Sequence, residues 1–213
     1  MKKKLSIEIK SLHKKERPKI ERRLAEFVDV FKLGKDNEVF AELVFCLLTP
    51  QSKAKSCWQA VKDLTSKKLL LKGSSARVAQ ILKKKTRFHN NKAKYIVLAR
   101  ELFSKSIKST IKNFSNVHDL REWLVANVKG MGYKEAGHFM RNIGFGKNIA
   151  ILDRHILRNL QLLGVIKVMP KTLSKKAYIA IEKKMINFAN KIGIPLDHLD
   201  LVFWRKQTGE YFK

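Results

Sequence analysis

The chain has 213 residues, 45% of them hydrophobic with 12 Phe and 3 Trp, so it can bury a core and is not disordered as a whole. Lys and Arg number 46 against 18 Asp and Glu, and the formal net charge of +28 is spread in short runs. This charge predicts a polyanionic partner, with nucleic acid as the leading candidate. A solvated lysine-rich surface is the alternative, and charge alone does not indicate catalysis.

Cysteine usage and hydropathy exclude further classes of protein. The only cysteines, Cys46 and Cys57, cannot form a disulfide framework or a four-cysteine metal or cluster site, and they suit a reducing cytosol. No stretch approaches the ~20 apolar residues of a membrane span, and Glu8 and Lys10 interrupt the region behind the basic start. The sequence therefore predicts a cytoplasmic, intracellular protein without a metal site or a membrane partner.

Apolar residues recur at helical spacing almost everywhere, and no sustained alternation of period two is present. Pro18 is expected in the first turn of a helix that ends at Gly34. Ser52, Ser174 and Asp197 are expected to cap later helices. Expected helices lie near 39–48, 52–64, 75–82, 91–103, 107–113, 117–128, 134–143, 153–163, 174–192 and 197–204. The sequence therefore predicts an all-α protein.

Two glycines separate the helices expected at 117–128 and 134–143. Glycine tolerates positive φ, so Gly130 and Gly132 permit a tight turn and a close approach of backbone to a partner. The N–H groups that open the second helix have no intrahelical acceptor, and the helix dipole adds positive charge. Together they favour a phosphate group such as that of DNA. An ordinary turn between two helices is the alternative.

A lysine and an aspartate follow this turn. Lys134 lies in the first turn of the second helix, where the dipole disfavours a cation, and a neutral amine is a nucleophile. Asp153 heads the next helix and can cap it, and at a cleft its carboxylate can also face a developing positive charge. The alternatives are a solvated surface lysine and an N-cap without a catalytic role.

The segment KGMGYKEAGHF at 129–139, followed by Asp153 in ILDRHILR, resembles the helix-hairpin-helix DNA glycosylase superfamily. The resemblance is closest to the type-2 (archaeal and bacterial) 8-oxoguanine DNA glycosylase/AP lyases. The hairpin marks the superfamily, and Lys134 with Asp153 marks a lyase. The cysteine count excludes the iron–sulfur branch. Further similarity lies in LTPQS at 48–52, RFHNNKAKYI at 87–96, PKTLS at 170–174 and residues 204–213.

The resemblance implies particular roles for the hairpin and the residues after it. Lys134 is expected to be the Schiff-base nucleophile and Asp153 the essential carboxylate. A monovalent cation on hairpin carbonyls is expected at most, with no other cofactor. The residues expected to hold DNA phosphate are Lys129, Gly130, Gly132 and Tyr133.

The resemblance also implies residues that recognise the base. Lys213 and Trp204 are expected to contact the oxidised guanine, and Phe88 is a candidate for contact with the base or the strand. Gln51 is the candidate wedge that fills the gap left by a flipped base. Core packing is the alternative for Phe88 and Trp204.

The implied fold has two helical subdomains that flank a DNA-binding active-site cleft. Residues 36–115 are expected to form the middle subdomain, and 1–35 with 116–213 the other, with the hairpin at about 117–144. The implied enzyme is a monomer without an obligate protein partner, associated with the nucleoid. It is expected to act on double-stranded DNA that contains oxidised guanine.

Two other functions stay open. One is a monofunctional helix-hairpin-helix glycosylase for another damaged base, and Lys134 argues against it because such an enzyme activates water. The other is a non-catalytic helix-hairpin-helix nucleic-acid-binding module, which does not explain Asp153.

Overall fold

Twelve α-helices make up the computed structural model, which describes residues 2–213. This range contains no strand, in agreement with the predicted all-α class, and none of its helices is long and apolar enough to cross a membrane. The helices are α1 (Lys2–Lys32), α2 (Asp36–Leu48), α3 (Ala54–Ser66), α4 (Leu69–Lys72), α5 (Ser75–Leu82), α6 (His89–Leu102), α7 (Ile107–Lys112), α8 (Val117–Asn127), α9 (Tyr133–Asn142), α10 (Arg154–Leu162), α11 (Lys175–Ile192) and α12 (Leu196–Thr208).

The first helix differs from the prediction. Pro18 was expected in a first turn, but α1 runs through it for 31 residues. A proline inside a helix costs about 3 kcal/mol because it removes a hydrogen bond and crowds the preceding turn. Ile9 and Ile20, on either side of Pro18, are both fully buried in the core. Burial of the N-terminal half of α1 therefore outweighs the local cost of the proline.

Two predicted caps are wrong. Ser52 does not cap α3, whose N-cap is Lys53, because the Ser52 hydroxyl accepts hydrogen bonds from Lys92 Nζ and Arg87 N, both at 3.0 Å. Asp197 lies inside the first turn of α12, whose N-cap is Pro195. The fixed φ of proline suits the entry to a helix, so α12 begins earlier than expected.

Buried apolar side chains form two clusters. The first extends from Val39 to Ile149 and includes residues of α2 through α9, among them the buried residues of α8 and α9. The second joins Ile9 and Ile20 of α1 to residues between Ala150 and Phe203. The predicted subdomain boundary between residues 115 and 116 stays a prediction.

A buried ion pair joins α8 to α11. Arg121 Nη1 and Nη2 donate to the two carboxylate oxygens of Glu182 at 2.6 and 2.8 Å. The guanidinium lies 5.3 Å from the ring centroid of Tyr133 and 5.8 Å from that of Tyr178. The side chains of Arg121 and Glu182 are only 1% and 4% exposed, so each buried charge is compensated by the other and not by water.

Replacing Arg121 by Met is expected to lower the free energy of unfolding by about 3–5 kcal/mol, because Glu182 would stay buried without its counter-charge. Urea unfolding measures this loss. Lys175→Met is the matched control, since Lys175 pairs with Glu122 at an exposed site and such pairs contribute about 0–1 kcal/mol. Equal small losses in both variants would contradict the prediction.

Candidate active site

Lys134 and Asp153 line the same cavity, which has a volume of about 190 Å³. Trp204 of α12 and Lys213 line it as well. Four residues that are far apart in the sequence therefore meet at one place. The structure brings together the two expected catalytic residues and two of the three residues expected at the base.

A second, larger groove meets the cavity at Lys134 and Asp153. This groove has a volume of about 540 Å³, and the loop 169–173 is part of its lining. Lys134 and Asp153 are the two residues that line both spaces. They therefore lie at the boundary between a small cavity and a wider groove.

Lys134 occupies the first turn of α9, whose N-cap is Gly132. Its side chain is 26% exposed, and Nζ lies 3.0 Å from Glu135 Oε1. The amine is thus neither a freely solvated surface group nor fully buried. A partly buried amine at the positive end of a helix is suited to nucleophilic chemistry.

Asp153 is the N-cap of α10. Its Oδ1 accepts a hydrogen bond from Ile156 N at 2.8 Å. This contact satisfies one of the N–H groups in the first turn of the helix, which have no partner within the helix. The same residue lines the cavity, so the capping contact fixes the carboxylate at the cavity wall.

Close packing of α9 against the segment before Asp153 brings the two residues together. A Cβ atom at Gly137 would lie 3.1 Å from both Ala150 O and Ile149 Cγ2. These distances are tighter than most real contacts of a Cβ atom, so a larger residue at position 137 would push the helix and the segment apart by a few tenths of an ångström. Gly137 lies one turn after Lys134, and the segment leads directly into Asp153.

The first glycine of the hairpin turn, Gly130, is required by both its backbone conformation and its neighbours. Gly130 has a φ of +86°, and a Cβ atom there would overlap the ring of Tyr95. The space beside Gly130 is thus filled by protein. Lys129 is exposed, whereas the Tyr133 hydroxyl donates to Glu122 Oε2 at 2.6 Å. Of the Tyr133 groups, the backbone N–H at the start of α9 is the one suited to phosphate.

Gly130→Ala is expected to lower stability by more than the ~1–3 kcal/mol that a strained backbone conformation costs by itself, because the new methyl group also displaces Tyr95. Thermal or urea unfolding measures the loss. Gly193→Ala is the control, since Gly193 has a φ of +69° and nothing lies within 4 Å of the position that its new methyl group would take. If both variants lose the same stability, the contact with Tyr95 is unimportant.

Lys213 is held in the cavity wall by residues that the sequence did not single out. Its Nζ pairs with the buried carboxylate of Glu42 and lies 3.5 Å from the ring centroid of Trp58. Burial lowers the pKa of the Lys213 amine, and Glu42 opposes this effect. Glu42 also accepts from Asn142 Nδ2 at 2.9 Å, which links the lysine to α9.

Trp204 presents its indole to the cavity. The ring lies edge-to-face against His155 with 6.1 Å between centroids. Its Nε1 is buried and has no hydrogen-bond partner within residues 2–213. A buried donor without an acceptor is costly, so this group is suited to a polar ligand atom.

Three further polar residues of the cavity were missed by the sequence analysis: His138, Arg141 and Asp200. Burial, followed by the charge of Arg141, lowers the pKa of His138 well below its ordinary value, so the imidazole is neutral. Arg141 Nη1 lies 3.6 Å from Asp200 Oδ2. His138 follows Lys134 by one helical turn, and that spacing was the one signal in the sequence that could have identified it.

Asp200 is expected to make stability depend on pH. Burial raises the pKa of its carboxyl from 3.8 to about 6, and Arg141 opposes this shift. The folded state therefore holds the proton more tightly than the unfolded state, and this stabilisation is lost as the pH rises through about 6.

Between about pH 4 and pH 7, the protein should lose roughly 2–3 kcal/mol relative to its Asp200→Asn variant, because an asparagine has no proton to lose. Urea unfolding of both proteins across this range measures the difference. Asp29→Asn, at an exposed position, is the control and should show no comparable trend. A stability difference that does not change with pH would disprove the assignment.

Gln51 and Phe88 lie outside the residues that line the cavity. Gln51 is exposed, with a φ of 53°. Phe88 is 53% exposed, with a φ of 57°, and it packs under the guanidinium of Arg87. Core packing is therefore excluded for Phe88. Both residues hold a left-handed conformation that is unusual for a residue other than glycine.

One buried lysine connects the two turns that carry Gln51 and Phe88. Lys92 Nζ donates to Leu48 O at 2.7 Å, Pro50 O at 2.8 Å and Ser52 Oγ at 3.0 Å. Burial lowers the pKa of its amine to about 8. Since the Ser52 hydroxyl also accepts from the residue before Phe88, both turns are anchored at the same point.

The two cysteines are buried and unpaired. The Cys57 thiol donates to Leu48 O at 3.2 Å. Burial raises the pKa of Cys57 to about 11 and that of Cys46 well above its ordinary value. Within residues 2–213, no group of three or more His, Cys, Asp or Glu side chains is placed to hold a metal ion.

An all-helical fold, a glycine-containing hairpin, and a lysine that shares its cavity with a downstream aspartate are the features expected from the resemblance to helix-hairpin-helix DNA glycosylases. The chain belongs to the 8-oxoguanine DNA glycosylase family, whose model matches residues 20–194.

Similar proteins cover nearly the whole chain. The 8-oxoguanine DNA glycosylase/AP lyase of Fusobacterium nucleatum is 46% identical over 210 residues, which are 97% of this chain and 96% of that protein. The crystal structure of the 8-oxoguanine DNA glycosylase of Thermotoga maritima superposes with a TM-score of 0.90 at 32% identity, covering 100% of both chains. The Methanocaldococcus jannaschii 8-oxoguanine glycosylase/lyase, in complex with a 15mer DNA containing 8-oxoguanine, superposes with a TM-score of 0.88 at 36% identity, covering 97% of this chain and 100% of that one.

Proposed function

We propose that this protein removes 8-oxoguanine from double-stranded DNA and cleaves the resulting abasic site by β-elimination, through a Schiff base on Lys134. The observation that carries the proposal is the cavity in which Lys134 and Asp153 meet Trp204 and Lys213. The similar proteins that are named glycosylase/AP lyases support both activities.

The damaged nucleotide must leave the helix to reach Lys134. A base within a duplex is inaccessible, and extruding it costs a few kcal/mol. Phosphate contacts offset this cost, and the N–H groups at the start of α9, Lys129 and the excess of basic residues are suited to provide them. The exposed Gln51 would fill the gap in the duplex, and the exposed Phe88 would contact the strand beside it.

The chemistry needs one amine and one carboxylate. As the bond between C1′ and the base breaks, positive charge develops at C1′, and the Asp153 carboxylate stabilises it. The Lys134 amine attacks C1′ through its lone pair, and one of its protons passes to the departing base. The C1′–O4′ bond then opens, O4′ takes a proton from solvent, and a protonated imine forms. Solvent removes a C2′ proton, the C3′–O bond breaks with the phosphate of the 3′ strand as the leaving group, and water later releases the lysine.

Recognition of the oxidised base depends on its altered edge. 8-Oxoguanine carries a hydrogen-bond donor at N7, where guanine has an acceptor. A backbone carbonyl is the kind of acceptor that can read this donor, whereas Lys213 and Trp204 provide a cation and an aromatic surface in the cavity. Lys213 is held by its ion pair with Glu42, and the Trp204 ring packs edge-to-face against His155. This rigidity supports a role in selecting the base.

Three further features are part of the proposal. A monovalent cation binds carbonyl groups of the hairpin turn and strengthens its contact with phosphate. The enzyme acts as a monomer without an obligate protein partner. It works in the cytoplasm on DNA of the nucleoid.

Borohydride trapping on a duplex with an 8-oxoguanine:C pair tests the proposal. The wild type should give a covalent protein–DNA adduct, because borohydride reduces the imine. Lys134→Gln should give none, and Asp153→Asn should slow adduct formation by at least about 100-fold.

Lys112→Gln is the control for the loss of a lysine, since Lys112 is exposed at the end of α7. It should trap like the wild type. If the wild type forms no adduct and alkali reveals no abasic sites, the proposed activity is wrong. An adduct that persists in Lys134→Gln would reject Lys134 as the nucleophile.

A further inference from the structure

The segment that leads into Asp153 depends on two side chains of α11 for its hydrogen bonds. Ala150 N donates to Glu182 Oε1 at 2.8 Å. The Tyr178 hydroxyl donates to Ala150 O at 2.7 Å and accepts from Leu152 N at 3.1 Å. One hydroxyl thus satisfies two backbone groups, on both sides of Ile151.

No solvent reaches these groups to replace the contacts. Tyr178, Ala150 and Leu152 are each at most 2% exposed. A buried backbone group that loses its partner retains the full cost of its desolvation. The conformation of the segment therefore depends on the position of α11, and Asp153 is the next residue along the chain.

The same side chains connect the segment to the hairpin. Glu182 is held at both oxygens by Arg121, which belongs to α8, the first hairpin helix. Tyr178 packs against Tyr133 of the second hairpin helix, with 5.4 Å between ring centroids. Side chains of α11 thus contact both the hairpin, which contains Lys134, and the segment that leads into Asp153.

We infer that Tyr178, with Glu182 beside it, is a positioning residue for Asp153, and that its hydroxyl sets the distance between the carboxylate and the Lys134 amine. This inference rests on the proposed function of these two residues. It assigns the hydroxyl a role in the chemical step and none in binding DNA, because Tyr178 lines neither the cavity nor the groove.

Tyr178→Phe isolates the hydroxyl. The variant keeps the aromatic ring and its contact with Tyr133, but it leaves Ala150 O and Leu152 N without their partner. The segment is expected to shift to recover hydrogen bonds. A displacement of about 1 Å at a catalytic group can cost about 100-fold in rate.

The experiment measures single-turnover removal of 8-oxoguanine and binding to a duplex that holds an uncleavable abasic-site analogue. Tyr178→Phe should lower the rate by about 10- to 100-fold and change the dissociation constant by less than about twofold. Val78→Ala is the control for a general loss of stability, since Val78 is a fully buried residue of α5. It should keep the wild-type rate.

A double-mutant cycle tests whether Tyr178 acts through Asp153. If it does, Tyr178→Phe should change the residual rate of Asp153→Asn by less than about twofold. An undiminished effect in that background would overturn the inference, and so would a wild-type rate in Tyr178→Phe alone. A wild type that does not remove 8-oxoguanine would instead reject the proposed function, and the inference with it.

Discussion

The close contact between α9 and residues 149–151 is the constraint on which the site depends. A lysine on one helix and an aspartate at the head of the next must meet in one cavity, although a loop of chain separates them. Gly137 has no side chain at the point of contact, where a Cβ atom would lie 3.1 Å from Ala150 O. The polar contacts of α11 then keep the segment in place. The geometry of the site is thus set by packing behind it rather than by contacts inside it.

The few acidic residues of this basic chain are used selectively. Glu42, Glu182 and Asp200 are buried, and each lies against a buried or partly buried cation: Lys213, Arg121 and Arg141. The first pair joins α2 to the C-terminal residue, the second joins α11 to α8, and the third joins α12 to α9. Because these three carboxylates lie in the interior, they do not reduce the positive charge of the surface. The buried carboxylates stabilise the fold through ion pairs, while the basic residues on the surface remain available to attract a polyanion.

Local rules predicted much of this molecule from its sequence. Apolar spacing predicted the helices. The two glycines predicted the turn of the hairpin, and the helical pattern after them predicted that Lys134 lies in the first turn of the second hairpin helix. The same rules failed where distant contacts decide. Helix α1 continues through Pro18 because Ile9, in its N-terminal half, is buried in the core. The Ser52 hydroxyl accepts a hydrogen bond from Lys92 and does not cap a helix. No spacing in the sequence marks Asp200 or Glu42, and only the fold places Asp200 in the cavity wall and Glu42 against Lys213.

The burial of both cysteines bears on the conditions in which such an enzyme works. Oxidants that convert guanine to 8-oxoguanine also attack thiols, and the thiolate is the form that reacts. With the pKa of Cys57 raised to about 11, only about one molecule in ten thousand carries that thiolate at pH 7. Cys46 is fully buried as well, and burial raises its pKa well above the ordinary value. Burial and the raised pKa values therefore protect both thiols from oxidants that react with the thiolate.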